Sequence, residues 1–573
     1  MSLQTAPEAP GYLPRPWVEH YPPGIKWDAP LKIVPVHEQV LGACAKTPGA
    51  VALDFLGGKT SFGKLRRDIV AFAGALQSRY GVGKGTRVAL LLPNTPFYVV
   101  SYYAVLLAGG TVVNCNPLYT LSELSHITGS AGAETIITLD LKQTFDKAAG
   151  LVKGGKCNRI IACHFPQALP LVTGILFRLA RRAEMADIQG SEVADRVSWY
   201  HRLVGRNEQP TPVEIEPETD VAVQQYTGGT TGLPRGAMLS HANIAANMAQ
   251  IDAWGCGLFY PPSKVVAILP FFHIFAMTVC MNVPLCNGTQ VVMLPRFEMS
   301  AFLKLLERRR PNILPAVPTL IQALAKAGER AKPALRSLEV VVSGGAPLSS
   351  DTRQAWERTS TALLAEGYGL TEASPVVCCA ALRVPSKPMS IGLPLPATDI
   401  RLVDPDTGEV VGIGERGELQ VKGPQVMIGY YDDPEATRAS FEDGWLHTGD
   451  VAQMDEDGYV FIVDRIKDLI INSGFNVYPR VVEEAILGHE AVEEVTVIGV
   501  PDTRRGEVPV AFVKLKAGQT VTADTLLAFI EKTLNKLEMP REIIFKDALP
   551  KTLIGKLSKK ELREEYKATR GLK

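Results

Sequence analysis

Hydrophobic and polar positions follow two alternating periods along most of the chain, and this predicts helices that alternate with strands. Phe62–Tyr80 carries apolar residues at helical spacing and ends before Gly81. Arg87–Leu92 is a compact apolar run that stops at a proline, as a buried strand would. Strands that alternate with helices form mainly parallel sheets covered on both faces. The pattern therefore predicts an α/β fold from about residue 36 onward.

The same periods predict the other elements of this large region. The predicted helices are Phe97–Leu107, Leu121–Ser130, Asn243–Ala253 and Met299–Arg309. The predicted strands are Thr111–Asn114, Thr135–Leu139, Arg159–Ala162, Val265–Leu269, Gln290–Leu294, Ile313–Val317, Val340–Ser343 and Ala362–Glu366. Three of these strands run into turns that are polar or rich in glycine, which is typical of the edge of one large crevice.

The pattern changes near residue 398 to short strands and turns. Ile400–Val403 and Gly417–Val421 flank turn residues, which predicts a small β-barrel over about residues 398–464. Residues 467–573 return to helix and strand. We therefore predict an extended arm over 1–35, a large domain over 36–466 made of parallel α/β sheets plus the barrel, and a smaller α+β domain over 467–573.

Length, charge and cysteines narrow the class of protein. A chain of 573 residues is too long for one core. Its 60 basic and 60 acidic residues balance, so the composition predicts no general attraction to nucleic acid or to an anionic membrane, and no nucleic-acid partner. The nine cysteines form no C-x-x-C pair and no metal spacing, and the N-terminus has no signal-peptide hydrophobic run. These features favour a reduced, cytoplasmic compartment.

Two apolar stretches raise the question of a membrane. Phe97–Val113 is uncharged but is broken by two glycines, so a buried helix followed by a strand is predicted. Leu169–Phe177 is followed by Arg178, Arg181 and Arg182. This second stretch predicts either a basic amphipathic helix on a membrane surface or a surface helix packed on the protein.

A run of glycines and threonines follows the apolar segment Val221–Val223. Glycines let consecutive backbone N–H groups converge on an anion, and threonine hydroxyls add neutral donors. Arg235 then supplies a positive charge. No G-x-x-x-x-G-K-[ST] motif crosses the run, so it predicts a phosphate cradle of another type, with a plain surface loop as the alternative. The run comprises Thr227, Gly228, Gly229, Thr230, Thr231 and Gly232.

His273 follows a predicted strand and the aromatic residues Phe271 and Phe272. Strand ends are where α/β proteins place ligands, so the histidine is a candidate functional residue. A structural role as a hydrogen-bonding residue is the alternative.

Six stretches in a fixed order carry a resemblance to a known family. They are YTGGTTGLPRG, LPFFHIF, EGYGLTE, DGWLHTGD, DRIKDLIINSGFNVYP and LPKTLIGKL. The set resembles the adenylate-forming superfamily over about residues 40–565. Within it, Asp443–Lys467 is similar to the signature stretch of fatty-acyl-CoA synthetases, and the N-terminal Arg15–Trp17 and Tyr21–Gly24 resemble the opening of bacterial long-chain enzymes.

The resemblance implies a two-step ligase reaction. A medium- or long-chain fatty acid attacks the α-phosphate of Mg·ATP to give acyl-AMP and pyrophosphate, and the thiol of CoA then displaces AMP. Such chemistry needs cations and hydrogen-bond donors that neutralise and align anions. It needs no protein nucleophile.

The resemblance also implies roles for residues on the nucleotide. Thr227–Gly232 with Arg235 would hold the β- and γ-phosphates, although the family usually has lysine where this chain has Arg235. Glu372 would help to hold Mg²⁺, and Thr371 would bond a phosphate oxygen. Asp450 would bind the ribose and Arg465 the ribose or a phosphate. The adenine would lie against Gly345, Ala346, Glu366, Gly367, Tyr368 and Gly369.

Other residues are implied for acyl transfer. His273 would lie beside the α-phosphate, with Phe272 as part of a gate to the acyl tunnel. Lys556 would stabilise charge where the acyl oxygen meets that phosphate. Lys467 would be the hinge of a mobile C-terminal domain. The CoA arm would pass along Ser473, Gly474 and Phe475.

Several alternatives stay open at this point. The same framework could accept a dicarboxylate such as pimelate or an aryl acid, could load a carrier protein, or could bind nucleotide without catalysis. The resemblance further implies small-molecule substrates, and a homodimer as an alternative to a monomer. Because fatty acids partition into bilayers, cytoplasmic residence with loose peripheral contact at the inner membrane face is an alternative to purely cytoplasmic residence.

Overall fold

The computed structural model describes residues 15–227, 234–384, 386–473, 475–502, 504–551 and 557–570. The chain forms two compact units. The large unit comprises Trp17–Asp399 and Lys422–Leu446, and the small unit comprises Met1–Pro16, Ile400–Val421 and His447–Lys573. The boundary that the sequence predicts at residue 466 lies inside the small unit. The α/β fold class is confirmed.

An eight-stranded sheet forms one layer of the large unit. Its inner strands are parallel because each crossover passes through a helix, and its antiparallel pair Val221–Thr227 and Arg235–Ser240 carries the Gly/Thr run between them. The order across the sheet is Gly429–Tyr430, Arg235–Ser240, Val221–Thr227, Thr111–Asn114, Arg87–Leu91, Thr135–Leu139, Arg159–Cys163 and Val197–Trp199.

A nine-stranded sheet forms another layer of the same unit. Its centre is parallel and its two ends carry antiparallel strands. The order is Leu393–Pro394, Val376–Cys379, Leu363–Gly369, Val340–Ser343, Ile313–Ala316, Lys264–Ala267, Gln290–Met293, Val51–Phe55 and Gly58–Ser61.

One predicted turn in this sheet was wrong. We expected a strand to end at Glu366 and a glycine-bearing turn to follow, whereas the strand runs on as Leu363–Gly369 and pairs with Val376–Cys379. The glycine is needed for close packing, because a Cβ at Gly369 would lie 1.9 Å from the carbonyl oxygen of Pro375.

Helices cover both sheets, and the five that the sequence predicts here begin and end within two residues of the predicted bounds. Ser61 caps the helix Phe62–Tyr80, which ends at Gly81 with a left-handed φ of 65°. Pro96–Leu107 is buried on nearly every side, which explains its uncharged sequence. The remaining helices of four or more residues, apart from the N-terminal one described below, are Val36–Lys46, Leu121–Ala131, Lys142–Lys153, Phe165–Ala168, Leu171–Ala180, Tyr200–Val204, His241–Gly255, Met277–Asn282, Val283–Cys286, Met299–Arg309, Pro318–Lys326, Lys332–Leu335, Ser350–Thr359 and Pro434–Ala439.

The described part of the N-terminal arm packs on the large unit. It forms one short 3-10 helix, Pro16–His20, in which Trp17 is buried. Farther along, the Tyr21 hydroxyl donates to the carbonyl of Pro394, and the Trp27 indole N–H donates to the carbonyl of Thr398. Aromatic side chains therefore anchor a segment that has little regular structure of its own.

The small unit contains the predicted short strands and an α+β region. Trp445–Met454 pairs with Val460–Arg465, and the same sheet includes Asp399–Val403, Arg416–Lys422 and Phe441–Glu442. Of these strands, Phe441–Glu442 and the residues Asp399, Lys422, Trp445 and Leu446 are counted with the large unit. A second sheet has the order Phe475–Val477, Ile470–Asn472, Gly506–Leu515 and Val492–Asp502, with Glu542–Phe545 also paired to Gly506–Leu515. Its helices are Pro479–Leu487, Ala523–Ile530 and Lys559–Arg570.

All nine cysteines are free thiols. Among the residues that the structure describes, no helix is both long enough and apolar enough to span a bilayer.

Candidate active site

The Gly/Thr run joins two paired strands of the large unit. Thr227 and Arg235 are directly opposite each other where the hairpin opens. The hairpin is held from the side by the helix Leu121–Ala131, since the His126 Nε2–H donates to the carbonyl of Pro234 over 3.1 Å. Five predicted phosphate-binding residues lie outside the described residues, namely Gly228, Gly229, Thr230, Thr231 and Gly232.

Arg235 and Glu372 come from separate motifs, and Tyr430 contacts both. The Tyr430 hydroxyl donates to Glu372 Oε1 over 2.8 Å, and the Arg235 guanidinium lies 5.8 Å from the centre of the Tyr430 ring. Arg235 Nε also pairs with Asp433 Oδ2 at 3.2 Å. Burial raises the pKa of Tyr430, and the adjacent carboxylate of Glu372 raises it further. The phenol therefore stays a proton donor and fixes the position of the carboxylate.

This arrangement fits a magnesium ion that arrives with a nucleotide. Mg²⁺ is usually bound by one or two carboxylates together with substrate phosphates rather than by an all-protein cage. Glu372 offers one carboxylate in the short 3-10 turn Thr371–Ala373. Within the described ranges, no group of three or more His, Cys, Asp or Glu side chains is arranged to hold a metal ion.

The candidate adenine segments lie at the ends of two neighbouring strands. Ser343, the last residue of its strand, is paired with Glu366. Gly345 follows with a left-handed φ of 80° and with open space around it, since a Cβ there would meet only Val317 at 3.9 Å. The Glu366 side chain is buried and pairs with Arg353 Nη2 at 2.8 Å. The carboxylate of Glu366 therefore has a structural partner. A ligand at this sheet edge would contact the backbone of Glu366–Gly369 instead.

His273 begins a helix that leads away from the same sheet edge. Its Nδ1 accepts a hydrogen bond from the backbone N–H of Phe275, so the ring caps the helix. The Phe275 ring would lie 3.1 Å from a Cβ on Gly344. The His273 turn and the Gly344–Ala346 turn are therefore neighbours, as predicted for a shared crevice.

A buried polar network that the sequence did not reveal fixes this turn. The Gln225 side-chain amide donates to the carbonyl of Phe272 over 2.9 Å and accepts from Asn114. The Asn94 side chain accepts a hydrogen bond from the N–H of Phe271, and the Tyr98 hydroxyl donates to the carbonyl of Phe271. Buried amides and hydroxyls that are fully hydrogen-bonded hold one geometry, because leaving any of them unpaired is costly.

The candidate ribose residues lie in the small unit. Asp450 and Arg465 are opposite each other on antiparallel strands, with Arg465 Nε 3.0 Å from Asp450 Oδ1. The buried carboxylate of Glu418 supports this turn, because its Oε1 accepts from the N–H of Gly449 and its Oε2 lies 2.8 Å from His447 Nδ1. Glu418 thus orders the residues that lead into Asp450.

The hinge and CoA candidates occupy two turns of the same unit. Lys467 lies in the 3-10 turn Ile466–Asp468, where burial and then Arg465 lower the pKa of its ammonium group. Ser473 adopts a left-handed φ of 57°, and its N–H donates to the carbonyl of Arg505. The Phe475 ring is exposed. Gly474 and Lys556 lie outside the described residues.

The supporting residues had only weak signals in the sequence. Tyr430 lies in an aromatic pair after a glycine, Glu418 falls on the polar side of an alternating strand, and Gln225 lies in the strand that leads to the Gly/Thr run. The burial of these side chains depends on distant contacts, so the sequence pattern alone identified none of them.

Comparisons with known proteins show what this chain is similar to. The family described as AMP-binding enzyme matches residues 41–431, and the family described as AMP-binding enzyme C-terminal domain matches residues 481–556. The long-chain-fatty-acid–CoA ligase of Bacillus subtilis (strain 168) is 40% identical over 96% of this chain and 98% of its own. The long-chain-fatty-acid–CoA ligase of Escherichia coli O157:H7 is 36% identical over 96% of this chain and 98% of its own. ATP-bound MatB from Rhodopseudomonas palustris has a similar structure, with a TM-score of 0.80, 29% identity, and coverage of 94% of this chain and 100% of its own.

Proposed function

Because the chain belongs to the family of AMP-binding enzymes, we propose that it is an ATP-dependent, AMP-forming ligase that joins a medium- or long-chain fatty acid to CoA. The observation that carries the proposal is the Arg235–Tyr430–Glu372 cluster, which puts a cation and an oriented carboxylate beside the Gly/Thr hairpin. Nearly full-length similarity to long-chain-fatty-acid–CoA ligases supports the choice of acid.

The first step joins the acid to the nucleotide. A carboxylate oxygen of the fatty acid forms a bond to the α-phosphorus of ATP, and the bond to the β-phosphate oxygen breaks, so pyrophosphate leaves. Thr227–Gly232 and Arg235 hold the β- and γ-phosphates, while Glu372 and Thr371 hold Mg²⁺ and a phosphate oxygen. The metal supplies positive charge against the phosphates when it is bound. Alignment and charge neutralisation are what lower the barrier.

Further residues position the rest of the nucleotide and the acyl group. Asp450 accepts from the ribose hydroxyls and Arg465 contacts the ribose or a phosphate. The backbone of Gly345, Ala346 and Glu366–Gly369 borders the adenine. His273 and Lys556 stabilise charge where the acyl oxygen meets the α-phosphate, with Phe272 beside the acyl path.

The second step transfers the acyl group to CoA. The thiolate sulfur forms a bond to the acyl carbonyl carbon, AMP leaves, and the thiol proton goes to solvent. Lys467 serves as the hinge for this step, and Ser473, Gly474 and Phe475 border the CoA arm. The pKa of Lys467 is already lowered by burial, so the hinge carries a partly desolvated ammonium group.

The test is pyrophosphate release from ATP with acids from acetate to oleate, and with pimelate and benzoate, each with and without CoA. The proposal predicts sustained release only with CoA, with a maximum at medium or long chains, and formation of the acyl thioester. A maximum at pimelate or benzoate would show that the substrate is a dicarboxylate or an aryl acid and would leave the proposed reaction unchanged. Transfer only to a carrier protein, or no release with any acid, would overturn the proposal. Cytoplasmic residence and a homodimer stay predictions.

A further inference from the structure

The helix Leu171–Ala180 presents an apolar face to solvent. Five of its side chains are between 55% and 81% exposed, and they recur at spacings of one and four residues. At 100° per residue they cover an arc of about 140° on one side of the helix. Single exposed leucines are ordinary, but a continuous apolar face on one helix is not. We call these five residues the apolar stripe: Leu171, Val172, Ile175, Leu176 and Leu179.

The opposite side of the helix is fixed to the protein, so the stripe cannot turn inward. Gly174 lies so close to the preceding segment that a Cβ there would be 2.5 Å from the carbonyl oxygen of Pro166. The Phe177 ring packs on Phe165 with ring centres 5.0 Å apart, and Phe165 in turn packs on Phe55 of the nine-stranded sheet. Outward exposure is therefore a property of how the helix is anchored.

The exposed surface continues onto a neighbouring hairpin. Gly57 and Gly58 pack against the segment that precedes the helix, since a Cβ on Gly57 would lie 3.5 Å from Pro170 Cγ and one on Gly58 would lie 2.7 Å from the carbonyl oxygen of Ala168. The residue before them, Leu56, is exposed with a left-handed φ of 51°. Another apolar side chain is thus held at the hairpin tip, next to the base of the helix.

Positive charge borders this surface. Arg178, Arg181 and Arg182 are exposed along and just after the helix, and Lys59 is exposed on the hairpin. Arg309 also reaches the hairpin tip, with its Nη2 3.2 Å from a Cβ placed on Gly57, but its charge is offset by the buried carboxylate of Asp54, 2.9 Å from its Nε. Glu184, which pairs with Arg181, is the acidic side chain that follows the helix most closely. Apolar residues bordered by arginine and lysine match a bilayer interface with anionic headgroups.

We propose that the apolar stripe, with Leu56 and the basic residues around it, is a docking surface for an anionic lipid bilayer. The helix lies in the plane of the interface, with the stripe in the acyl boundary and the arginines at the headgroups. A bilayer fits better than a protein partner because the stripe is flat and ends in basic residues rather than in a pocket. The proposal does not depend on the ligase reaction, since docking needs neither ATP nor acid.

The test uses the full chain and sedimentation with vesicles, without substrates. Vesicles of phosphatidylcholine containing about one third phosphatidylglycerol should bind the protein, and vesicles of phosphatidylcholine alone should bind it at least about tenfold more weakly. Leu171→Ser with Ile175→Ser and Leu179→Ser should reduce binding about tenfold or more, with an unchanged melting temperature. Arg178→Gln with Arg182→Gln should reduce binding several-fold and remove most of its dependence on salt.

A matched control changes three exposed apolar residues elsewhere, as Leu118→Ser with Val384→Ser and Ile413→Ser. This control should bind the vesicles as the parent protein does. An equal loss of vesicle binding in the control and the stripe variant would overturn the proposal. So would a parent protein that does not bind anionic vesicles. If the parent ignores vesicles and is a dimer that the stripe variant dissociates, the surface belongs to a second copy of the chain.

Discussion

Two candidate nucleotide-binding regions hold their charged side chains in different ways. They are the cluster Arg235–Tyr430–Glu372 of the large unit and the turn that leads into Asp450 in the small unit. Arg235 is 58% exposed and rests on a surface pair with Asp433, whereas Asp450 is 10% exposed and follows a turn that the buried Glu418 holds. Surface ion pairs contribute little stability, while a buried carboxylate with N–H partners is costly to remove. Function and stability should therefore separate in the large unit and coincide in the small one.

The largest effect should come from Glu372→Gln, which removes the charge that Mg²⁺ prefers. We expect exchange of pyrophosphate into ATP to fall about a thousandfold in kcat/KM, or about 4 kcal/mol, and to require more Mg²⁺. Stability should not change, because a glutamine oxygen still accepts from Tyr430. Tyr430→Phe is the matched control: it keeps the carboxylate charge and removes only the hydrogen bond that orients it, so it should cost about tenfold and raise the Mg²⁺ requirement less than Glu372→Gln does. A Glu372→Gln protein that keeps full exchange would refute the role.

In the small unit, Glu418→Ala should lower the free energy of unfolding by about 3 kcal/mol, because the Gly449 N–H loses its partner and His447 keeps only its contact with Gln420. The KM for ATP should rise in parallel, since Asp450 follows the same turn. Urea unfolding and initial rates measure the two quantities. Glu456→Ala, an exposed carboxylate of the same unit, should leave both within error. A Glu418→Ala protein that loses activity but keeps its stability would contradict the claim that function and stability coincide in the small unit.

Acid should open the large unit before the small one. Burial lowers the pKa of His37 to about 4 and, with the nearby His37, that of His241 to about 3. Between these values and about 6.5 the unfolded chain binds protons that the folded chain does not, so stability falls as pH falls. We expect a loss of roughly 2 kcal/mol from pH 6.5 to 5.5.

Hydrogen exchange followed by mass spectrometry can locate that opening. Peptides around His37 and His241 should lose protection first, and His37→Gln should reduce the dependence on pH. Earlier opening of peptides from the small unit would contradict the assignment.

The smallest effect should come from Arg235→Lys. The charge is kept and the lost pair is exposed, so stability should stay within about 0.5 kcal/mol and the KM for ATP within about threefold. Arg235→Ala should raise that KM about tenfold with equally little change in stability. Asp433→Asn removes the ion pair but keeps the cap on the helix Pro434–Ala439, and it should behave like the parent. A large loss of stability in any of these variants would contradict the claim that function and stability are separate in the large unit.

Local periodicity predicted most elements because their patterns are self-contained. Met299–Arg309 and Thr135–Leu139 have the bounds that the sequence indicates. The turn expected after Glu366 failed because the antiparallel partner Val376–Cys379 extends the strand, and that pairing depends on a distant segment. The sequence also left open which way the apolar residues of Leu171–Ala180 face, since their direction depends on the contacts of Gly174 and Phe177.

In the candidate site, too, the sequence predicted what local motifs encode and missed what depends on distant contacts. Ordered motifs predicted the family that the comparisons confirm, and they named Arg235 and Glu372. They could not name Tyr430, Glu418 or Asn94, because each acts through a contact with a residue far away in the chain. The roles of all the site residues named from the motifs stay predictions, including those of Lys556, Gly474 and Gly228–Gly232.

The central claim is that the acid attacks the α-phosphate of ATP, and heavy oxygen placed in the fatty-acid carboxylate tests it most directly. After a full turnover with CoA, mass spectrometry of the products should find one labelled oxygen in AMP and unlabelled pyrophosphate, because the carboxylate oxygen stays with the phosphorus that it attacked. Label in inorganic phosphate, together with formation of ADP, would show attack at the γ-phosphate and would contradict the account.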